Sequence, residues 1–289
     1  MLNFFEILFE KVFSEKNRKK AEKFTLWSSI IGFIAHLFLI YLNTSQIIIL
    51  KNDVLLNNPI SAIYTPFSII LIYEIYLLIF FLPRSFTTSV SKQFEIISLI
   101  LIRRIFGDIP KINTNSNWFK TQENIDLIYS LLGVLILYYL IYQFNKLSKR
   151  RKPQKISLDI SNFIKSKKGV SLILLPVLII VSIFSLSDWV FNNIYLFNDN
   201  ISYSVDDINS VFYNKFFEIL ILADVFILLL SFQYTEKYSQ LIRNTGFIIS
   251  TILIRLSFAA TGLTNVLLII SSVLFGLIIL KVYENYEKL

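Results

Sequence analysis

The chain contains no cysteine and a single histidine, His36. Without cysteine it can form no disulfide, no thiolate nucleophile, no cysteine-ligated zinc site and no iron–sulfur cluster. One histidine excludes a polyhistidine metal centre within the chain. The sequence also lacks a phosphate-binding P-loop, a G-x-G-x-x-G motif and an H-E-x-x-H motif. We therefore expect no metal site, no cofactor and no enzymatic activity.

Charged residues are scarce, and this scarcity excludes an ordinary soluble protein. They make up 17% of the 289 residues, while 55% are hydrophobic. Average soluble domains contain about 25% charged residues. A soluble chain of this length would have to bury more apolar surface than a single core can hold. The composition therefore predicts an integral membrane protein.

Apolar stretches long enough to approach a membrane span recur along the whole chain. A helix needs roughly 20 residues to cross the core of a bilayer. Two of the stretches, 94–106 and 245–260, are short or carry charge, so each could instead be re-entrant. The eight stretches are 25–43, 60–83, 94–106, 125–144, 170–187, 216–233, 245–260 and 263–280.

The distribution of basic residues predicts how these segments are oriented. If all eight cross and the N-terminus is cytoplasmic, 21 of the 28 Lys and Arg residues are cytoplasmic and four are outside. This split follows the positive-inside rule, whereas a re-entrant 94–106 would place the basic stretch 146–168 outside. We expect both termini to be cytoplasmic, in a bacterial inner membrane or a plasma membrane. The basic segments then attract anionic lipids of the bilayer, and we expect no nucleic-acid partner.

The two halves of the sequence resemble each other. Residues 97–103 (ISLILIR) and 249–255 (ISTILIR) agree at six of seven positions, at an offset of 152. Glu74 and Asp224 follow apolar runs in the preceding segments, at an offset of 150. Each half also begins with an amphipathic stretch followed by basic residues, at 1–23 and 156–168. An even number of spans per copy implies parallel repeats, which we place at residues 1–148 and 149–289.

The sequence thus predicts an all-α integral membrane protein. It has eight transmembrane helices arranged as two parallel four-helix repeats. A short amphipathic interfacial helix precedes each repeat.

Five charged residues lie inside the apolar stretches and are the candidate site residues: Glu74, Arg103, Arg104, Asp224 and Arg255. A lone charge at the middle of a bilayer costs at least about 2.5–3.5 kcal/mol, so such residues turn inward and find partners. The repeat pairs Glu74 with Arg103 and Asp224 with Arg255, on neighbouring helices. Three interpretations remain open. The pairs fasten helices together, or they line a path for an ion or proton, or the arginines bind an anionic lipid or solute.

His36 and Arg104 have no equivalent in the other half. His36 lies in the middle of the first span, where it is either a packing residue or a proton-relay partner of Glu74. Leu256 stands at the position equivalent to Arg104, so Arg104 either has a task of its own or extends outward toward Asp108.

These patterns favour a channel or transporter-like protein that moves an ion, a proton or a small solute past the acid–arginine pairs. The alternative is a non-transporting membrane scaffold, anchor or regulatory subunit of a larger complex. Either kind of protein could form a homo-oligomer or bind a partner subunit.

Overall fold

The computed structural model describes residues 2–47, 56, 59–109, 118, 121–149, 158–190, 205–234, 237–260 and 262–288. Within these residues the secondary structure is helical, as the sequence predicts. Short 3₁₀ segments cover Pro59–Ile63 and Ser257–Ala259. The α-helices are α1 (Leu2–Val12), α2 (Glu15–Thr44), α3 (Tyr64–Phe81), α4 (Phe86–Asp108), α5 (Gln122–Ser148), α6 (Leu158–Val190), α7 (Val205–Gln233), α8 (Tyr238–Leu256) and α9 (Gly262–Tyr286).

Seven segments of the described chain are long and apolar enough to cross a membrane, as expected of a polytopic membrane protein. They include α8, one of the two stretches for which the sequence left a re-entrant alternative open. The other, 94–106, belongs to α4, which is not among the seven. With 23 residues, α4 is about 34 Å long and could span a bilayer. It differs from the seven candidate spans in its content of charged residues, which include Lys92, Glu95 and Arg103.

Helices α4 and α8 begin earlier than the apolar pattern suggests. The polar stretches 84–93 and 234–244 were expected to be loops, but α4 begins at Phe86 and α8 at Tyr238. At the start of α4, Ser85 is the N-cap residue, and its hydroxyl accepts a hydrogen bond from the Thr88 amide at 3.3 Å. The connection between α3 and α4 is therefore a tight turn, and the first turns of α4 present polar side chains to the protein interior.

The predicted N-terminal amphipathic helix is present as α1. Ser14 caps the following helix α2, and the Asn17 side chain donates a hydrogen bond back to the Lys11 carbonyl at 2.6 Å. This arrangement satisfies groups of both helices where the chain changes direction. The acidic face of α1 turns toward α6, where Glu6 lies 3.8 Å from the Lys165 ammonium.

The separate interfacial helix expected before the second half is not found in the described residues. From Leu158 onward the chain is part of α6, which runs without a break to Val190 and continues through Pro176. The physical reason is that the polar residues of this stretch continue the helix instead of capping a new one: the Ser166 hydroxyl donates to the Asn162 carbonyl one turn back. One helix therefore accommodates both the amphipathic and the apolar residues. Residues 151–157 lie outside the described part of the chain.

The main contact between the two halves is formed by α4, α5, α8 and α9, because α5 packs along α9 and α4 packs against α8. Helix α6 also packs against α1 and α3. Glycine allows the closest approach. A Cβ atom added at Gly133 of α5 would lie 2.5 Å from a methyl carbon of Val266 on α9. One at Gly276 of α9 would lie 2.9 Å from the Ser250 hydroxyl and 3.0 Å from the Phe94 ring. Small residues at these positions let the helix backbones approach closely, as in other membrane helix pairs.

Three buried phenylalanine rings join the halves at this contact. The Phe144 ring of α5 meets the Phe94 ring of α4 edge-on at 5.2 Å between centroids. It also lies 5.7 Å from the Phe247 ring of α8. All three side chains are inaccessible to solvent. Edge-to-face contacts of this kind stabilise a core beyond the area they bury.

Candidate functional site

The first predicted ion pair forms between α3 and α4. An Arg103 guanidinium nitrogen (Nη2) contacts Glu74 Oε2, and both residues are at least nine-tenths buried. Arg103 Nη1 also donates a hydrogen bond to the Phe67 carbonyl at 3.2 Å. Phe67 precedes Glu74 by two helical turns, so both acceptors lie on one face of α3. Arg103 is therefore held by a single neighbouring helix.

The second predicted ion pair forms between α7 and α8 and is buried more deeply. Arg255 Nη1 lies 2.8 Å from Asp224 Oδ2, and the two residues are 3% and 1% exposed. The Thr251 hydroxyl, one turn before Arg255 on α8, donates a hydrogen bond to the same carboxylate oxygen at 3.1 Å. Asp224 thus receives one ion-pair contact and one hydrogen bond from one face of α8.

Gln93 is a third member of the second site. Its side-chain oxygen accepts a hydrogen bond from Arg255 Nη2 at 2.8 Å. Its amide nitrogen donates to the Ser89 hydroxyl at 3.3 Å, and Gln93 itself is 2% exposed. Gln93 belongs to α4, in the first half, so Arg255 links an acid of its own half to an amide of the other. The two contacts of Arg103 described above both go to α3, in its own half, so they do not link the halves.

Two guanidinium nitrogens of this site form no aligned hydrogen bond. Among the described residues, the buried Arg255 Nε has no hydrogen-bond acceptor, and Arg255 Nη1 meets Asp224 as an ion pair without hydrogen-bond geometry. An N–H group left without an acceptor in a low-dielectric interior is costly, typically by about 1–3 kcal/mol.

Comparison with protein families, curated proteins and solved structures finds no match. The function is therefore inferred from the chemistry and placement of these residues.

His36 lies apart from the first pair. Its ring Nδ1 is 2.6 Å from the Thr65 hydroxyl, at the start of α3. Thr65 precedes Glu74 by nine residues, which is about 13 Å along a helix. His36 and Glu74 therefore sit at different depths, and the proposed partnership between them does not form in this structure. Arg104 belongs to α4, but its side chain and that of Asp108 lie outside the described part of the chain.

Lys167 is a buried residue that its position in a basic cluster did not reveal. The sequence placed it among the cytoplasmic lysines, yet it is only 2% exposed. Its ammonium donates a hydrogen bond to the Arg84 carbonyl at 2.6 Å and lies 4.8 Å from the centre of the Phe86 ring. Lys167 of α6 therefore fixes the turn between α3 and α4.

Two cavities of the described residues lie away from the acid–arginine pairs. One, of about 20 Å³, lies between α4, α5 and α9 and is lined by residues that include Ser130 and Asn265. It is large enough for one water molecule. The other is an open apolar groove of about 460 Å³ on α8 and α9. No member of either acid–arginine pair lines these two cavities.

Proposed function

We propose that this polytopic membrane protein is channel or transporter-like and moves an ion, a proton or a small solute past its two acid–arginine pairs. One observation carries the proposal. Asp224 and Arg255 are almost fully buried, and Arg255 is shared between helices of the two halves. A bundle that needed only to be held together could achieve this with apolar packing, since a buried ion pair is often no more stable than hydrocarbon.

The proposal describes a closed state. Each carboxylate is neutralised by its arginine, and the cavities defined above stop short of both pairs. Movement of α4 against α7 and α8 would change the contacts of Arg255 and expose Asp224 to one side of the membrane. Rigid movement of one bundle against another is the common basis of alternating access.

We propose the eight-span layout, with parallel repeats at residues 1–148 and 149–289 and both termini cytoplasmic. The pairs support it, because each joins the second and third spans of its half. The starts of α5 and α9, the fourth spans of the two halves, also resemble each other. Asn124 and Asn265 are both buried near the start of their helices, and each donates a side-chain hydrogen bond to a backbone carbonyl of the preceding segment, Trp118 and Ser257.

Cysteine labelling tests this layout directly, because the natural chain has no cysteine. Exposed positions suited to single substitution are Lys16→Cys, Ser45→Cys, Lys149→Cys and Lys288→Cys. If α4 crosses the membrane, Lys149→Cys and Lys288→Cys will react with an impermeant maleimide from the same side as Lys16→Cys, and Ser45→Cys from the opposite side. Labelling of Lys149→Cys together with Ser45→Cys would show that α4 does not cross.

Transport is tested by flux measurements on the purified protein in liposomes. We expect the wild-type protein to carry a proton, cation or anion flux above that of protein-free liposomes. Glu74→Gln and Asp224→Asn should each lower this flux by about tenfold or more, because a neutral amide can neither take up a proton nor attract a cation. Glu123→Gln, which changes an exposed acid at the start of α5, serves as the matched control and should leave the flux unchanged.

A non-transporting scaffold or regulatory subunit is the second candidate. It is favoured by the closure of both pairs, in which each buried carboxylate is already neutralised by an arginine. On this reading the wild-type protein would carry no flux above protein-free liposomes. If the wild-type protein carries a flux and both acid variants keep it, the transport path does not include these carboxylates.

A further inference from the structure

Arg255 is the only arginine of the two described pairs whose hydrogen-bond partners lie on two different helices of two different halves. Asp224 holds it from α7 and Gln93 holds it from α4. Arg103, by contrast, bonds to Glu74 and to the Phe67 carbonyl, both on α3. A shift of α4 against the second half therefore separates Gln93 from Arg255 while leaving the Asp224 pair intact.

The surroundings of Asp224 suit a proton better than a metal cation. Hard cations take six or more oxygen ligands. Near Asp224 the structure gives one hydroxyl, that of Thr251, which lies 3.1 Å from the carboxylate and 2.9 Å from the Ile248 carbonyl. Leu220 and Ile227, one turn to either side on α7, are buried and apolar. In the described chain no group of three or more His, Cys, Asp or Glu residues could hold a metal ion. A proton needs only one carboxylate oxygen.

Proton uptake at this site leaves a charge that Gln93 is placed to stabilise. When a proton binds Asp224, an O–H bond forms on the carboxylate, the acid becomes neutral, and Arg255 keeps its own positive charge. The guanidinium then loses its counter-charge but retains the Gln93 oxygen as an acceptor. When the proton leaves, the ion pair forms again. No other reactant is required.

The charged group in contact with Asp224 is a cation, Arg255 of α8. Lys167 of α6 is also buried, and its ammonium is bonded to the Arg84 carbonyl at the turn between α3 and α4. The 3₁₀ segment Ser257–Ala259, which also packs against α7, contains no titratable residue. The guanidinium favours an ionised Asp224. An uncharged acceptor that holds Arg255, the Gln93 oxygen, therefore lowers the free-energy cost of protonating Asp224.

We propose that the transported ion is a proton, that Asp224 carries it, and that Gln93 is the positioning residue that holds Arg255 while Asp224 is protonated. This inference rests on the proposed transport function. It assigns the first pair, Glu74 with Arg103, to holding α3 and α4 together, with any flux loss in Glu74→Gln following from disturbed packing.

The test is proton flux through the full-length protein in liposomes across a range of pH. Gln93→Leu keeps the size of the side chain but removes the acceptor, and Gln93→Glu keeps an acceptor oxygen. We expect Gln93→Leu to lower proton flux by about ten- to a hundredfold, the range for losing a hydrogen bond to a charged group. Its pH profile should also move to more acidic pH, since Asp224 is then the only partner of Arg255. Gln93→Glu should restore flux and move the profile the opposite way.

Gln143→Leu, at a half-buried glutamine of α5, is the matched control and should behave like the wild type. Thermal melts of all variants in detergent identify any variant that fails to fold. If Gln93→Leu does not fold, the shift of the pH profile is measured on Gln93→Glu instead. If wild-type protein carries protons and Gln93→Leu has the same flux and pH profile, Gln93 has no positioning role. If the wild type carries another ion but no protons, the proton assignment is wrong while transport stands. A wild type without any flux overturns both proposals.

Discussion

Replacing Arg255 with alanine should lower the free energy of unfolding by about 3–5 kcal/mol, the usual cost of leaving one member of a buried ion pair without its partner. Asp224 is 1% exposed, so water cannot take the place of the guanidinium. The Thr251 hydroxyl remains as a donor, but it carries no charge. Chemical unfolding of the purified protein in mild detergent, followed by circular dichroism, measures the loss.

The matched control removes both charges together. Asp224→Leu combined with Arg255→Met replaces the pair by apolar side chains and leaves neither charge of the pair. Such replacements are often neutral or stabilising. We expect the double variant to unfold close to the wild type, although Gln93 loses the donor that its oxygen accepts from. A double variant as unstable as Arg255→Ala, or an Arg255→Ala variant as stable as the wild type, would contradict a charge-paired core.

Replacing Phe144 with alanine should be about equally damaging, with a loss of about 3–5 kcal/mol. Its ring is fully buried and contacts Phe94 and Phe247, so its removal opens a cavity where α4, α5 and α8 meet. These rings bridge the two halves, and neighbouring side chains can fill the space only by moving whole helices. A thermal melt monitored by circular dichroism reads out the change.

Phe184→Ala is the control for this prediction. The Phe184 side chain on α6 is 66% exposed, so its removal opens no cavity within the described core. We expect its melting curve to overlay that of the wild type. Equal destabilisation by the two alanine variants would mean that the Phe144 contact contributes nothing beyond apolar area.

The sequence alone was enough to predict the ion pairs, and the reason is physical. A charged side chain in an apolar helix is costly unless it is paired, so two opposite charges on adjacent helices are each other's expected partners. Gln93 could not be found in this way, because it lies in a polar stretch that was assigned to a loop. The signal that was available is the helical spacing of the apolar residues Phe86, Val90, Phe94 and Ile97, which extends α4 back through Gln93.

Lys167 shows a different limit of sequence reasoning. A lysine between basic neighbours at the end of an apolar segment is normally exposed and serves as a topology marker. Its burial depends on a tertiary partner, the carbonyl at the end of the α3–α4 connection, which no local pattern specifies. The missing helix boundary before 170 has a similar origin, since amphipathic and apolar patterns with one period can share a single helix.

The unequal partners of the two arginines have a consequence for biogenesis. Phe67, Glu74 and Arg103 are all present once the ribosome has made the first third of the protein, so that early hairpin can neutralise its own charges during insertion. Arg255 emerges last and completes its contacts only by docking against a helix inserted long before. We therefore expect the nascent N-terminal helices to act as a template on which the later helices assemble. The order of synthesis then determines the order in which the buried contacts form.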